Sequence, residues 1–163
     1  NPLVRHTAEK MVESNLNRVT VVVGYESDRV RTTIDDLKVT FQKNEEYATG
    51  QSASVRVGID HASNRGADAV LVALGDMPWV DVESFNCLVE AYRRGVSDLI
   101  VAACDGQRGN PVLFDSRFFK SLMRVDGDVG GRALLLKTDT TAAVETGDPG
   151  VLQDVDQPSH LPE

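Results

Sequence analysis

Three short, uninterrupted apolar runs, Val19–Val23, Ala69–Leu74 and Leu99–Ala103, constrain this chain more than any other feature. They are rich in Val, Ile and Leu and do not alternate with polar residues, the pattern of strands covered on both faces. Between them apolar residues recur at helical spacing. Val4, Ala8, Met11 and Val12 fall on one helical face, Val30, Ile34 and Leu37 on another, and Val82, Phe85, Val89 and Tyr92 on a third. A weaker strand over Lys38–Gln42 and a helix over Ala53–Ala62 complete the alternation. Strands alternating with helices need crossover connections, so the spacing predicts βαβ units and a mostly parallel sheet in an α/β fold.

Beyond Cys104 the rhythm changes. Val112–Phe114 and Ala142–Glu145 read as strands, with helices near Ser116–Met123 and Arg132–Lys137. Turn signals crowd this half: Asp105-Gly106, Gly109-Asn110-Pro111, Gly127-Asp128, Gly130-Gly131 and Gly147-Asp148-Pro149-Gly150. A mixed-sheet portion appended to the parallel part is therefore expected. No linker, repeat or low-complexity stretch divides the 163 residues, which read as one domain. A domain of this size buries roughly 70% of its unfolded surface and holds a core without disulfides. Cys87 and Cys104 accordingly read as small buried hydrophobes.

The charge balance narrows the partners. Seventeen Lys and Arg against 25 Asp and Glu give a net charge of −8. Such a surface does not seek nucleic acid or anionic membranes by bulk electrostatics, and no apolar run is long enough to span a bilayer. A phosphorylated ligand would need a metal ion and local amide donors to offset the repulsion. With 41% hydrophobic and 26% charged residues, the chain is expected to be folded rather than disordered. No secretory signal is visible, and a cytoplasmic location is expected.

Chemistry concentrates in a few segments. In Leu74-Gly75-Asp76-Met77-Pro78 an apolar strand ends and an acid follows on a turn framed by Gly and Pro. Open α/β sheets bind ligands at the carboxyl ends of their strands, and a carboxylate there suits a Mg²⁺ ion shared with phosphate oxygens. The competing reading makes Asp76 a cap or turn residue, although Asp81 is the better placed cap for the helix that follows. In Asn44-Glu45-Glu46-Tyr47-Ala48-Thr49-Gly50-Gln51-Ser52-Ala53-Ser54, amides and hydroxyls gather at a helix start, which is either a polar-ligand site or plain N-capping. Asp154-Val155-Asp156 puts two acids on one face of an extended chain, a pairing that calls for a shared cation or full solvation. The glycines of Asp126-Gly127-Asp128-Val129-Gly130-Gly131-Arg132 let backbone approach a ligand closely, with Arg132 able to fork onto a phosphate; a surface loop is the alternative. His6, His61 and His160 lack ligand spacing.

In order along the chain, the Val-rich strand with Gly24, Asn44…Gly50-Gln51-Ser52-Ala53-Ser54, Leu74-Gly75-Asp76-Met77-Pro78, Gly109-Asn110-Pro111-Val112-Leu113-Phe114, Gly127-Asp128-x-Gly130-Gly131-Arg132 and Asp154-Val155-Asp156-Gln157-Pro158 resemble the MobA-like nucleotidyltransferases. The cytidylyltransferases of molybdenum cofactor synthesis are the most similar branch. The resemblance implies a Rossmann-like three-layer fold of the nucleotide-diphospho-sugar transferase type. It also implies Mg²⁺-dependent transfer of CMP or GMP from the triphosphate to a phosphorylated pterin-type acceptor, molybdopterin, with release of pyrophosphate. A molybdoenzyme or chaperone partner follows from the same resemblance.

By the same resemblance Asp76 and Asp156 would be the catalytic, metal-holding acids, and Asn44, Gly50 and Ser54 would lie beside the nucleoside. Gly109, Asn110, Pro111, Gly127, Asp128 and Arg132 would face the acceptor. The family's opening strand and its L-A-A-G-x-S-x-R-M-G phosphate loop have no counterpart here, and Gln157 stands where the family prefers Thr. One domain over residues 1–163, lacking that strand and loop and binding CTP or GTP poorly by itself, is the resulting expectation. A non-catalytic nucleotide-binding or interaction module of the same fold is the alternative. An α/β glycosyltransferase would more often carry Asp-x-Asp at the strand end, where this chain has Asp76-Met77-Pro78.

Overall fold

The computed structural model describes residues 3–24, 27–44, 51–124 and 140–153. The chain opens with helix α1 (Leu3–Glu13), then strand β1 (Thr20–Val23), α2 (Ser27–Ile34), β2 (Thr40–Lys43), α3 (Gln51–Asn64) and β3 (Ala69–Val72). It continues through α4 (Val82–Arg93), β4 (Leu99–Cys104), β5 (Gln107–Asp115), a 3₁₀ turn (Ser116–Phe118), α5 (Phe119–Met123), β6 (Ala142–Glu145) and a second 3₁₀ turn (Pro149–Leu152). The helix expected near Arg132–Lys137 lies outside the described residues.

The strands form two ladders. β1 and β2 run parallel, Thr20 opposite Thr40 through Val23 opposite Lys43. The other sheet has the order β3-β5-β4-β6, with β5 antiparallel to both neighbours and β6 parallel to β4. The mixed portion is therefore not appended at an edge: β5 sits between β3 and β4. The hairpin turn Asp105-Gly106 makes this possible, with φ of 52° and 80° at its two residues, the left-handed values that a two-residue hairpin turn demands.

Among the described strands only β4 is buried along its whole length. The four residues of β3 are half-buried, as are all those of β1 except Val23. Coverage on both faces thus holds for the third of the apolar runs, Leu99–Ala103, and not for the other two. Among the described residues β1 pairs only with β2 and β3 only with β5, so each keeps one side free of a ladder.

Alternation along β4 divides the core into two. Ile100, Ala102 and Cys104 join Met77, Phe85 and Leu88 under α4. Leu99 and Val101 face the other way and join Ile59, Phe114, Phe119 and Leu122 under α3 and α5. Three layers result, helix on sheet on helix. α3 and α4 both end in the same motif: Gly66 and Gly95, at φ 75°, occupy the left-handed position after the helix. Their N–H groups donate to Ser63 O and Tyr92 O, while Ala67 and Val96 donate to Ala62 O and Ala91 O.

Several boundaries move. β2 begins at Thr40 rather than Lys38, α3 extends over Gln51–Asn64 instead of Ala53–Ala62, and β5 runs over Gln107–Asp115, its extension beyond Val112–Phe114 lying almost wholly on the N-terminal side. Leu37 falls after α2, in a turn closed by its N–H on Ile34 O.

At the opposite end of α4 from its cap, Tyr92 donates to the Asp115 carboxylate, which also accepts from Arg117 N–H and so caps the first 3₁₀ turn. Burial and the Asp115 hydrogen bond push the Tyr92 phenol up to about 12. Burial alone would raise Asp115, yet the bonds from Tyr92 and Arg117 outweigh it and hold it below the usual carboxylate range. A raised phenol stabilises the fold fully below the ordinary value of 10.0 and loses that contribution as pH rises toward about 12. Tyr92→Phe should flatten the fall in stability across that alkaline window in denaturant titrations. Equal slopes for the two proteins would remove Tyr92 from the balance.

Candidate functional site

The segment after β3 is a built turn. Met77 N–H donates to Leu74 O, and Met77 itself is buried in the core under α4. Lys10 of α1 reaches across to donate to the Pro78 carbonyl at 2.6 Å. Val4 of the same helix packs over Gly75, where an added methyl would lie 3.7 Å from its Cγ2. Asp76 projects from this frame half-buried, with Oδ1 withdrawn from solvent. It stands at the carboxyl end of a strand on backbone held from two helices, as the sequence reading expects.

The far end of that turn is capped from elsewhere. Asp81 has the extended conformation of an N-cap (φ −78°, ψ 154°), as the sequence leads one to expect, but its side chain makes no capping bond. The carboxylate of Asp148 does the work instead: its Oδ2 accepts from Asp81 N–H at 2.9 Å and from Ser84 Oγ at 2.7 Å. Its Oδ1 accepts from Gly150 N–H at 2.9 Å.

A second group forms where β2 ends. Asn44 is only 2% exposed; its backbone N–H donates to Val23 O at 2.7 Å, and its Nδ2 donates to Ser54 Oγ at 3.0 Å. The carboxyl ends of β1 and β2 are thereby tied to the first turn of α3. Ser54 serves as an acceptor for Asn44. α3, about 21 Å long, returns the chain from the end of β2 to the start of β3 and packs against β1, β2 and β3.

Gly109, Asn110 and Pro111 are not a loop. They lie within β5, next to a register shift between Val101 and Ala103, and Pro111 is fully buried. Gly109 lets the second 3₁₀ turn approach, for a methyl there would sit 2.0 Å from Val151 O. The segment reads as a loop from its Gly-Asn-Pro composition, but the hairpin carries the ladder through it. Gly50, Gly127, Asp128, Arg132 and Asp156 lie outside the described residues.

Sequence reasoning missed Lys10 and Asp148. Asp148-Pro149 is legible as a turn, but nothing local says that its carboxylate caps a helix 67 residues away. A third cluster brings Cys104, Asp105 and Glu145 together, with donor atoms within 4.8 Å of one another. Glu145 already accepts from Gly106 N–H and Gly147 N–H, bonds that hold it below the usual range, while burial pushes the Cys104 thiol up. The two bonds to Glu145 clasp the β4–β5 turn to the end of β6, and the three donor atoms make the cluster a candidate for a divalent ion. Cys104 is buried and Cys87 packs at the edge of the same core.

Strand ends carrying a fixed acid and a buried amide–hydroxyl pair, in a three-layer α/β domain, define the class of open-sheet ligand-binding domains. A family model described as the MobA-like NTP transferase domain matches residues 1–142, and the chain belongs to that family. The purine catabolism protein PucB of Bacillus subtilis is 32% identical over 111 residues, covering 67% of this chain and 53% of PucB. The chain thus spans about half of that relative's length. A nucleotidyl transferase from Methanothermobacter superimposes with a TM-score of 0.81 at 20% identity, over 96% of this chain and 76% of that one. Rv0371c of Mycobacterium tuberculosis, in a complex with manganese, gives 0.74 at 21% identity, over 95% and 81%. The fold is that of the nucleotide-diphospho-sugar transferases. No helix among the described residues is long and apolar enough to cross a membrane.

Proposed function

We propose that this chain is the nucleotidyltransferase domain of an enzyme that moves a nucleoside monophosphate from a nucleoside triphosphate to a phosphorylated acceptor and releases pyrophosphate. One observation carries the reading: Asp76 on its braced turn at the end of β3, in a chain of the NTP transferase family. The motif resemblance favours CTP or GTP as donor and molybdopterin as acceptor, with the product passing to a molybdoenzyme or its chaperone in the cytoplasm.

In this reading Asp76 and Asp156 hold Mg²⁺. The donor chemistry fits, since a carboxylate on rigid backbone offers the hard oxygen ligands that this ion prefers. The manganese bound by the structural neighbour Rv0371c supports a divalent ion in this fold. When bound, the ion neutralises charge on the triphosphate, the largest need in an acidic protein of net charge −8. Asn44, Gly50 and Ser54 position the nucleoside, the first and last joined by their hydrogen bond. The motif resemblance assigns Gly109, Asn110 and Pro111 of β5, and Gly127, Asp128 and Arg132, to the acceptor, and Arg132 would offer paired donors to its phosphate. An acceptor phosphate oxygen attacks the α-phosphorus in line. The bond from that phosphorus to the bridging oxygen breaks, and pyrophosphate leaves with the electron pair. No side chain becomes covalently attached.

The test is pyrophosphate release by the complete protein with CTP, GTP, ATP or UTP, Mg²⁺ and molybdopterin. Pyrophosphate in step with molybdopterin nucleotide, from CTP or GTP, is expected. Release only with another phosphorylated acceptor would keep the transferase and replace its substrate. Nucleotide binding with no release for any acceptor would establish the non-catalytic module instead.

A further inference from the structure

Resting on the reading of Asp76 as the metal-holding acid, we propose that Asp148 is a positioning residue for that site. The turn from Leu74 to Asp81 has to hold one carboxylate in place, and its near end is fixed by the Met77–Leu74 hydrogen bond and the Lys10 bond to Pro78. Its far end is fixed by Asp148. That side chain is 8% exposed and engages three donors on both sides of a seam: Asp81 N–H and Ser84 Oγ at the start of α4, and Gly150 N–H in the turn after β6.

The seam is too tight for slack. A methyl at Gly150 would lie 2.1 Å from Trp79 O, so this backbone presses directly on the turn that carries Asp76. On its other side the same 3₁₀ turn is pressed by Gly109 of β5. Asp148 therefore supplies, from the turn after β6, the cap that Asp81 does not make, and a negative charge at the start of α4 also suits the helix dipole. Removing it leaves Asp81 N–H and the Ser84 hydroxyl without their acceptor and lets the turn pivot about Pro78. A carboxylate displaced by a fraction of an ångström binds a small ion less well, because affinity depends on the groups that hold a ligand in its orientation.

Ser84→Ala separates positioning from stability. It removes one bond to Asp148 on the helix side and leaves the bond to Asp81 N–H, so it should lower the melting temperature without changing the site.

The experiment is titration calorimetry of Mn²⁺ into the complete protein and its Asp76→Asn, Asp148→Ala, Asp148→Asn and Ser84→Ala variants, well below every melting transition. Asp76→Asn should abolish binding. Asp148→Ala should weaken it roughly tenfold, as loss of a ligand-orienting group does, and Asp148→Asn, which keeps an oxygen for Asp81 N–H, should weaken it less. Ser84→Ala should bind as the wild type does. If Asp148→Ala fails to fold, Asp148→Asn decides by the same comparison. Loss of binding in Asp76→Asn with unchanged affinity in both folded Asp148 variants would overturn the positioning role alone. A weakening by Ser84→Ala equal to that of Asp148→Ala would overturn it too, since the effect would then follow stability. Unchanged binding in Asp76→Asn would overturn the reading of Asp76 as well.

Discussion

Asp76→Asn should lower kcat for nucleotide transfer about a thousandfold, the loss that several kcal/mol of missing charge stabilisation amounts to. The substitution keeps the size and shape of the side chain. The turn beneath it is held by Met77, Lys10 and Val4, none of which depends on the Asp76 charge. The melting temperature should therefore stay within about 2 °C of the wild type, the range of a substitution that keeps the side chain's shape and leaves those braces in place. Steady-state kinetics beside a thermal melt separate the two possibilities. Activity retained with a large drop in melting temperature would make Asp76 a turn residue.

Gly109→Ala and Gly150→Ala should each destabilise the domain by about 3 kcal/mol, lowering its melting temperature by roughly 6–12 °C. The added methyl would sit 2.0 Å from Val151 O in the first case and 2.1 Å from Trp79 O in the second, and in both the obstacle is backbone rather than a side chain that can swing away. Gly58→Ala provides the contrast. Its methyl would meet Val22 Cγ2 of β1 at 3.5 Å, an ordinary contact between α3 and that strand, and replacing a helix-interior glycine there should raise stability by about 0.5–1 kcal/mol. Paired melts of the three variants check the expectation. A Gly109→Ala protein as stable as the wild type would show that the second 3₁₀ turn can withdraw from β5 without cost.

What the sequence disclosed follows the range of the forces involved. β4 is legible because its uninterrupted apolar run marks a strand covered on both faces, and the buried stripe of α4 because burial on one face repeats at a fixed period, a signal that Phe85 and Val89 carry. The Asp76 turn is legible because Gly75 and Pro78 punctuate the end of an apolar run. The insertion of β5 between β3 and β4 is not, since strand order depends on which ladder closes after the hairpin, and Val112–Phe114 reads the same at an edge or in the middle. Gly109 and Gly150 look like turn glycines until Val151 and Trp79 are brought against them. Asp148 is the clearest case: its chemistry is plain, but its partners, Asp81 and Ser84, are set by tertiary packing.

The separation of the two ladders has a mechanical meaning. Among the described residues Asn44 and Ser54 belong to the β1–β2 side and Asp76 to the four-stranded side, and no main-chain hydrogen bond of a shared ladder joins them. Their cohesion rests on helices: α3 lying across β1, β2 and β3, and α1 reaching Pro78 through Lys10 and Asp36 through Arg5. Side-chain contacts of this kind yield more readily than a strand ladder, so each half is stiffer within itself than the joint between them. A ligand that touched both halves would act as a splint across that joint. Part of its binding free energy would go into ordering the protein, and a second ligand arriving afterwards would find that ordering already done.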